Sequence, residues 1–291
     1  KAEGDVAQAK LFFCLRNAAA FLPAVKKVWW TLLRTPDLRK YAEKQPWWSD
    51  FERVCAAQKF FHWELEFPEV FRGEKKGFDC VLGNPPWDKV KPDRKEFYGR
   101  VDVLIRAYTG GELDVRIREL HTSRPELEGE FDAYADNVKT TAACLKKGGD
   151  YKFCDWEIEG KSTGGDPDLF RFFVERGHQI LRVSGRLGFL VPGAIYSGEG
   201  ATGLRHLLLD ESRVLAFYGF ENRHKLFPID SRYKFVCLAV EKSAGSTDEA
   251  QQKPRIGEFV AAFMRHDLEE LEVGPPAGVQ VLVKRSELEK L

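Results

Sequence analysis

Between residues 6 and 61, apolar side chains such as Leu11, Phe12, Leu15, Ala19, Phe21 and Leu22 recur at helical spacing. Pro23, Pro36 and Pro46 interrupt this stretch, which predicts several helices rather than one. The period then changes. Residues 61–68 alternate weakly and predict a short strand, and a charged turn follows at 72–77. The apolar run at 78–83 stops at Asn84-Pro85-Pro86, which predicts a buried strand leading into a stiff loop. Residues 95–165 are polar, charged and helical in character, and end in Gly160, Gly164 and Gly165. They read as an insertion between core elements.

Regular alternation then returns. The pattern predicts a helix over 168–181, capped by Asp166 or Asp168, and a strand over 186–191 stopped by Pro192-Gly193. A helix over 201–209 and strands over 214–220 and 233–240 follow. Residues 243–254 form a polar linker, and strand-like pieces recur at 259–263 and 279–283. Helices alternating with short apolar strands predict an α/β sheet with helices on both faces. Such sheets bind ligands beyond the carboxyl ends of their strands, which is where the Asn-Pro-Pro turn falls.

The segment Gly83-Asn84-Pro85-Pro86-Trp87 carries the candidate chemistry. Two prolines in succession restrict the backbone, and Pro85 also restricts Asn84. Asn84 offers an amide oxygen, Pro85 a carbonyl with no N–H of its own, and Trp87 a flat apolar face. The exocyclic amine of adenine needs such a set, because its lone pair is delocalised into the ring. Two acceptors gripping both N–H bonds favour a tetrahedral nitrogen and free that lone pair. A target base must also leave the duplex, and a stacking aromatic would hold it. Read by itself, a bare Asn-Pro-Pro triplet is more often a proline-stiffened surface turn. The preceding apolar strand and the following Trp87 favour the chemical reading.

Composition narrows the class. Among 291 residues, 43% are hydrophobic and 31% charged, which describes a soluble globular chain. No apolar run is long enough for a transmembrane helix. The six cysteines are scattered without zinc-ligand spacing, as in a reduced, cytoplasmic protein, and no metal site is expected. The 45 basic and 45 acidic residues cancel, which argues against nucleic-acid binding by the whole surface but allows a local basic stripe.

Several strings together resemble the type IIG group of adenine-N6 DNA methyltransferases, to which type I-like and phage-defence methylases are related. They are FHWELEFPEVF at 61–71, GFDCVLGNPPW at 77–87, DLFRFF at 168–173, GRLGFLVP at 185–192, and GFENR at 219–223 with SRYKF at 231–235. The resemblance covers roughly residues 60–245. It implies a Rossmann-like methyltransferase sheet with its last strand antiparallel, S-adenosylmethionine as cofactor, and double-stranded DNA with a flipped adenine as partner. It also implies membership of a restriction–modification or defence system, with other subunits as further partners. Asn84 and Pro85, braced by Pro86, would bind the target amino group, and Trp87 would stack on the base. Glu64 would either lie near the cofactor adenine or be a solvated residue. Tyr233 and Phe235 are candidates for a second stacking aromatic, although strand-core packing is the simpler reading of Phe235.

Two basic stretches are candidate DNA contacts. One is Lys89, Lys91, Arg94, Lys95 and Arg100, interleaved with Phe97 and Tyr98; the other is Arg223, His224, Lys225, Arg232 and Lys234. Each is equally an ordinary solvated surface. The family's glycine-rich cofactor loop has no counterpart in 1–60, so the chain is expected to be a piece whose cofactor motif lies upstream. The expected organisation is a helical segment over 1–60, the catalytic part over 61–245 with its insertion at 95–165, and a linker opening a target-recognition domain over 246–291. Two other readings stay open: methylation of another planar amine (an RNA adenine or a glutamine amide), and a non-catalytic module of a defence complex.

Overall fold

The computed structural model describes residues 2–158, 160–162, 167–244 and 258–284. The helices predicted for the first sixty residues are α1 (Ala2–Ala18), α2 (Pro23–Lys27), α3 (Trp29–Leu32), α4 (Leu38–Ala42) and α5 (Trp48–Gln58). Pro23 opens α2 at the one helical position where a missing N–H costs nothing, and Asp37 caps α4 by accepting the Lys40 N–H. The short strand expected at 61–68 does not form. Two single helical turns stand there instead, α6 (Trp63–Glu66) and α7 (Pro68–Phe71), with Pro68 again at a helix start. The stretch expected to be a helical insertion holds α8 (Arg94–Tyr98), a 3-10 turn Val103–Arg106, α9 (Gly110–Ser123) and α10 (Glu126–Lys147).

The sheet strands are β1 (Phe78–Gly83), β4 (Leu181–Pro192), β5 (Ser212–Glu221), β6 (Lys234–Lys242), β7 (Glu258–Arg265) and β8 (Gln280–Lys284). The short pieces β2 (Glu157–Ile158) and β3 (Lys161–Ser162) pair with each other. Helices α11 (Leu169–Gln179), α12 (Ala194–Ser197), α13 (Thr202–Asp210) and α14 (Glu270–Val273) complete the described elements. Asp168 stands at the N-cap of α11; Asp166, Gly164, Gly165 and most of the 243–254 linker lie outside the described residues.

The chain divides into two compact units, residues 1–67 with 90–144, and residues 68–89 with 145–291. The first unit is helical. Leu15, Val25, Leu32, Trp47 and Phe51 form one of its clusters, and Tyr98, Ile105, Ile117 and Leu127 form another. The second unit holds the six-stranded sheet in the order β1-β4-β6-β5-β7-β8. β1 and β4 are parallel, and β6 runs antiparallel between β4 and β5. The last strand was expected to be antiparallel; β6 runs antiparallel inside the sheet, β7 and β8 follow it with β8 antiparallel to β7, and the α/β fold class holds. Residues 258–284, expected to open a further domain, instead add β7 and β8 to this same sheet.

Helices were expected on both faces of the sheet. Among the described residues, α11, α12 and α13 cover one face, and the short α14 reaches the other through Leu271. Phe170, Val174, Ile195, Leu204 and Leu207 pack there on Leu187, Phe189 and Val191 of β4 and on Val236, Leu238 and Val240 of β6. The alternate positions Gly188, Leu190, Tyr218, Cys237 and Ala239 line an open depression of about 320 Å³ on the opposite face. The period of two along each strand assigns these two sets to opposite faces.

β4 begins earlier than its predicted start at 186 because residues 182–185 form a bulge. Ser184 has φ 60°, and the register jumps from Phe78↔Leu181 to Cys80↔Arg186. The Arg182–Asp79 pair at 2.5 Å braces it. Lys242 of β6 donates to the carbonyls of His178 (2.9 Å), Gln179 (3.0 Å) and Leu181 (2.8 Å), closing the C-terminal end of α11 against the sheet. At the other side of α11, the buried Glu175 carboxylate accepts the backbone N–H groups of Phe153 and Cys154 and ties residues 151–156 to the core.

Two predictions follow from this packing. Gly77, which turns the chain into β1, has φ +121°, and an added Cβ would lie 2.5 Å from the Arg182 nitrogen. Gly77→Ala should cost about 2–4 kcal/mol in urea unfolding, from backbone strain and overpacking together; a loss below about 0.5 kcal/mol, the usual scatter of surface substitutions, would exclude that geometry. The second concerns His178, whose Nε2 lies 3.3 Å from the Glu211 carbonyl. Burial, helped by the Lys242 charge, pushes its ring down from 6.5 to about 4. The unfolded state therefore binds the proton more readily. Stability is complete above pH 6.5 and falls as pH drops toward 4. Wild type should lose about 2 kcal/mol more than His178→Gln between pH 7 and pH 5, measured as urea midpoints at both pH values.

Candidate functional site

The candidate site lies in the second unit, where the carboxyl ends of β1, β4 and β5 meet the amino end of β6. Parallel pairing sets Gly83 opposite Phe189, so the chain leaves β1 level with the last turn of β4. Pro192 pairs with Phe235, and Glu221 with Lys234. The rim thus brings together residues 84–89, 192–193 and 221–234, which sequence separation alone would keep apart.

At the end of β1, Asn84 is exposed, Pro85 is buried and Pro86 is exposed. Burial of one proline seats the loop while the neighbouring amide stands outward. Among the described residues the Asn84 side chain has no hydrogen-bond partner, so its oxygen is available as an acceptor. The loop is held further on. The Leu190 carbonyl of β4 accepts from Trp87 Nε1 at 3.3 Å. Leu169 N–H at the start of α11 donates to the Asp88 carbonyl at 2.9 Å, and the Lys89 backbone pairs with that of Asp168 in an isolated antiparallel bridge. Arg171 backs this latch. Its guanidinium is buried, places Nε 3.8 Å from the Asp168 carboxylate without a hydrogen bond there or elsewhere among the described residues, and donates to the Gly200 carbonyl.

Trp87 is half-buried and near-parallel to two rings, Tyr233 at 6.0 Å and 17° and Phe235 at 6.5 Å and 28°. The two differ in access. Phe235 is 1% exposed and stacks on Phe220 at 5.4 Å, so its ring belongs to the core and not to a surface for DNA. Tyr233 is 48% exposed. The accessible aromatic face at the rim is therefore the Trp87–Tyr233 pair.

The basic residues separate into braced and unbraced. Arg223 pairs with Glu221 at 2.5 Å, and His266 also reaches Glu221 at 3.3 Å; His266 and Arg223 together hold the Glu221 carboxyl below its usual range. Arg232 grips Asp230 through Nε, Nη2 and its own backbone N–H, holding that carboxyl down at about 2. Both arginines are thus neutralised locally. Lys225, in the left-handed region at φ 52°, and Lys89 are exposed with no carboxylate partner among the described residues. His224 faces Asp267 at 3.8 Å.

Other predicted residues lie elsewhere. Glu64 is exposed on α6, in a helical turn of the first unit rather than a strand. Lys91 also belongs to the first unit, as do Arg94 and Arg100, which pair with Asp114 and Glu96. Phe97 and Tyr98 pack against Phe131, so the aromatic interleaving of that basic stretch is core packing. Sequence reasoning missed the Leu169–Asp88 latch and the Leu190 acceptor, which are backbone groups without a sequence signal. It also missed the role of Asn222, discussed below, although an asparagine between a strand end and a polar loop is a recognisable local cue.

For S-adenosylmethionine the described residues fit poorly. No glycine-rich turn joins a strand to a helix among them, and the depression beside Gly83 is lined by Leu82, Gly188, Leu190, Tyr218 and other uncharged residues, with no carboxylate to hold a ribose. What the geometry can do is present an acceptor pair beside an aromatic face. No group of His, Cys, Asp and Glu with metal-ligand geometry occurs among the described residues. None of the described helices is long and apolar enough to cross a membrane.

Comparison with known proteins gives one family. The Eco57I restriction-modification methylase family matches residues 5–114 and 134–227, well over half of the chain. A class I S-adenosylmethionine-dependent methyltransferase of Listeria monocytogenes is similar over 40% of this chain and 32% of its own, at 18% identity and a TM-score of 0.26, too slight a likeness to carry structural detail. The matched part is thus about a third of that protein's length. No curated protein matches. The family match runs through both compact units and includes the Asn84–Trp87 loop, stopping at residue 227 before Tyr233, and the chain belongs to the Eco57I restriction-modification methylase family.

Proposed function

We propose that this chain forms the acceptor side of a DNA adenine-N6 methyltransferase that uses S-adenosylmethionine. The observation that carries the reading is the Asn84–Trp87 loop. An exposed amide without a partner follows the sheet's carboxyl edge, the next proline is buried, and Trp87 stands against the accessible ring of Tyr233. Asn84 Oδ1 and the Pro85 carbonyl accept the two N–H bonds of the adenine amine. The nitrogen is drawn toward a tetrahedral shape, and its lone pair leaves the ring system. These acceptors gain most in the transition state, where the amine acquires positive charge. Trp87 and Tyr233 offer the apolar face on which a base outside the duplex rests, a contact worth about 1–3 kcal/mol. The described residues account for the acceptor only, and no step is assigned to the donor.

DNA is favoured over RNA or a protein amide by membership of a restriction-modification family. The phosphate-facing charge in this reading is small. Lys225 and Lys89 contribute, while Arg223 and Arg232 serve the loop. Recognition of the duplex then depends on groups other than these.

The test is label transfer from S-adenosylmethionine to unmethylated bacteriophage DNA. Asn84→Ala in the otherwise unchanged protein should lower kcat by about 100-fold or more, as loss of one preorganised transition-state contact does, without shifting the unfolding midpoint. Retained activity would sink the role of Asn84; label in RNA or protein but not DNA would move the substrate. A second variant tests the latch. Leu169→Pro deletes the N–H that holds the Asp88 carbonyl, at the first helical position, where proline is tolerated. Hydrogen exchange at Trp87–Lys89 should rise while α11 stays protected; unchanged exchange would show that the latch does not hold the loop.

A further inference from the structure

Asn222 follows β5 at the rim and is completely buried, at 0% exposure. Its side chain is spent on one neighbour, the loop over 223–232. Oδ1 accepts the Phe227 N–H at 3.0 Å, and Nδ2 lies 3.1 Å from the Phe227 carbonyl, 3.2 Å from that of Ile229 and 3.2 Å from that of Asp230. An amide has two N–H bonds, so these three carbonyls share them. The backbone of the same residue closes both ends of the loop. Asn222 N–H donates to the Tyr233 carbonyl at 2.9 Å, and its own carbonyl accepts from Lys225 N–H at 2.9 Å.

The other contacts of the loop are local. The Phe227 ring meets Phe235 edge-on at 5.2 Å, the Phe227 and Asp230 carbonyls accept the N–H groups of Ile229 (2.8 Å) and Tyr233 (3.1 Å), Arg223 reaches the buried Glu221, and the Arg232–Asp230 pair lies on exposed surface, where such pairs contribute little. The buried amide is the interaction that several loop carbonyls have in common. Without it the Ile229 carbonyl would have to find water or a new loop shape, and those of Phe227 and Asp230 would keep only the N–H groups of Ile229 and Tyr233. The loop ends at Tyr233, whose ring stands against Trp87.

We propose that Asn222 is a positioning residue: by fixing the loop over 223–232 it seats Tyr233 against Trp87 and so sets the space in which the acceptor base meets Asn84. The proposal rests on the methyltransferase reading of the site. It assigns Asn222 no contact with substrate. It also gives the two arginines a structural task, since each is tied to a carboxylate within or beside the loop. A misplacement of about 1 Å at such a site can cost about 100-fold in rate, which is the size of effect one lost amide can produce.

The loop contains natural reporters, because trypsin cuts after Arg223, Lys225 and Arg232, all exposed. Two variants are compared with wild type: Asn222→Ala, and Asn222→Asp, which keeps the shape and the acceptor but removes the donors. Folding is checked by the unfolding midpoint. Cleavage after Lys225 and Arg232 should be about 10-fold faster in the variants, because a local opening and not global unfolding exposes the loop. With unmethylated bacteriophage DNA, KM for DNA should rise by about 10-fold to 100-fold, with KM for S-adenosylmethionine within about 2-fold. That split separates positioning from general loss of structure, which removes active molecules and leaves both KM values alone.

Equal cleavage of wild type and of both variants would overturn the proposal at its geometry. Faster cleavage with unchanged KM for DNA would overturn the positioning role. If Asn222→Ala does not fold, Asn222→Asp is judged alone by the same criteria. Should wild type transfer no methyl group to DNA, the methyltransferase reading fails and the positioning role with it, whatever trypsin does to the loop. The cleavage experiment thus keeps the two failures apart.

Discussion

The pairing of β4 along both of its edges is the constraint on which the rest of the second unit depends. On one edge its ladder with β1 runs parallel and delivers Asn84 beyond the carboxyl end of the sheet. On the other its ladder with β6 runs antiparallel and brings the start of β6, with Tyr233 just before it, to the same end. A strand has only two edges, and each N–H and C=O along it needs a partner when buried. Satisfying both edges therefore forces the Asn-Pro-Pro loop and the Tyr233 loop to one rim. The bulge at 182–185 absorbs the register mismatch at the start, away from that rim, so the pairing near Gly83 stays regular.

Around the rim, rigidity comes from many small anchors. Proline restriction acts on Asn84 and Pro85. Indole and backbone donors tie residues 87–89 to β4 and to α11. A buried asparagine shapes the opposite loop. None of these is large by itself, since a typical hydrogen bond contributes about 1 kcal/mol net. Their effect is geometric. They hold an exposed acceptor and an exposed aromatic face close together while leaving both accessible. The charge at the rim follows the same logic: carboxylates neutralise Arg223 and Arg232, so the site is shaped first and only weakly charged.

The sheet shows contrasting faces among the described residues. One is filled by Phe170, Val174, Leu204 and Leu207 from the helices. The other is an apolar depression with Leu82 84% exposed. Small residues there, Gly188 and Ala239 among them, leave the strands close to the surface. The first unit is stabilised separately, by clusters around Leu15 and around Tyr98.

The alternation of apolar runs and helical periods determined the α/β class, and the proline pair after an apolar run located the candidate acceptor at a strand's carboxyl end. Those features are local, and local patterns are what a sequence displays directly. The weak alternation at 61–68 misled, because four residues at period two also fit one helical turn, and Pro68 starts the next. Helices on both faces were inferred from the order of elements, yet coverage is decided by which side each connection crosses. Whether Phe235 or Tyr233 shows its ring was decided by where β6 begins, since Phe235 lies within the strand and stacks on Phe220 while Tyr233 precedes it at the end of the loop. The neutralisation of Arg223 and Arg232, the Leu169–Asp88 latch and the Asn222 cradle were decided only by the tertiary structure. Each joins backbone or charged groups whose partners are set by sheet register and loop closure, and neither leaves a periodic trace in the chain.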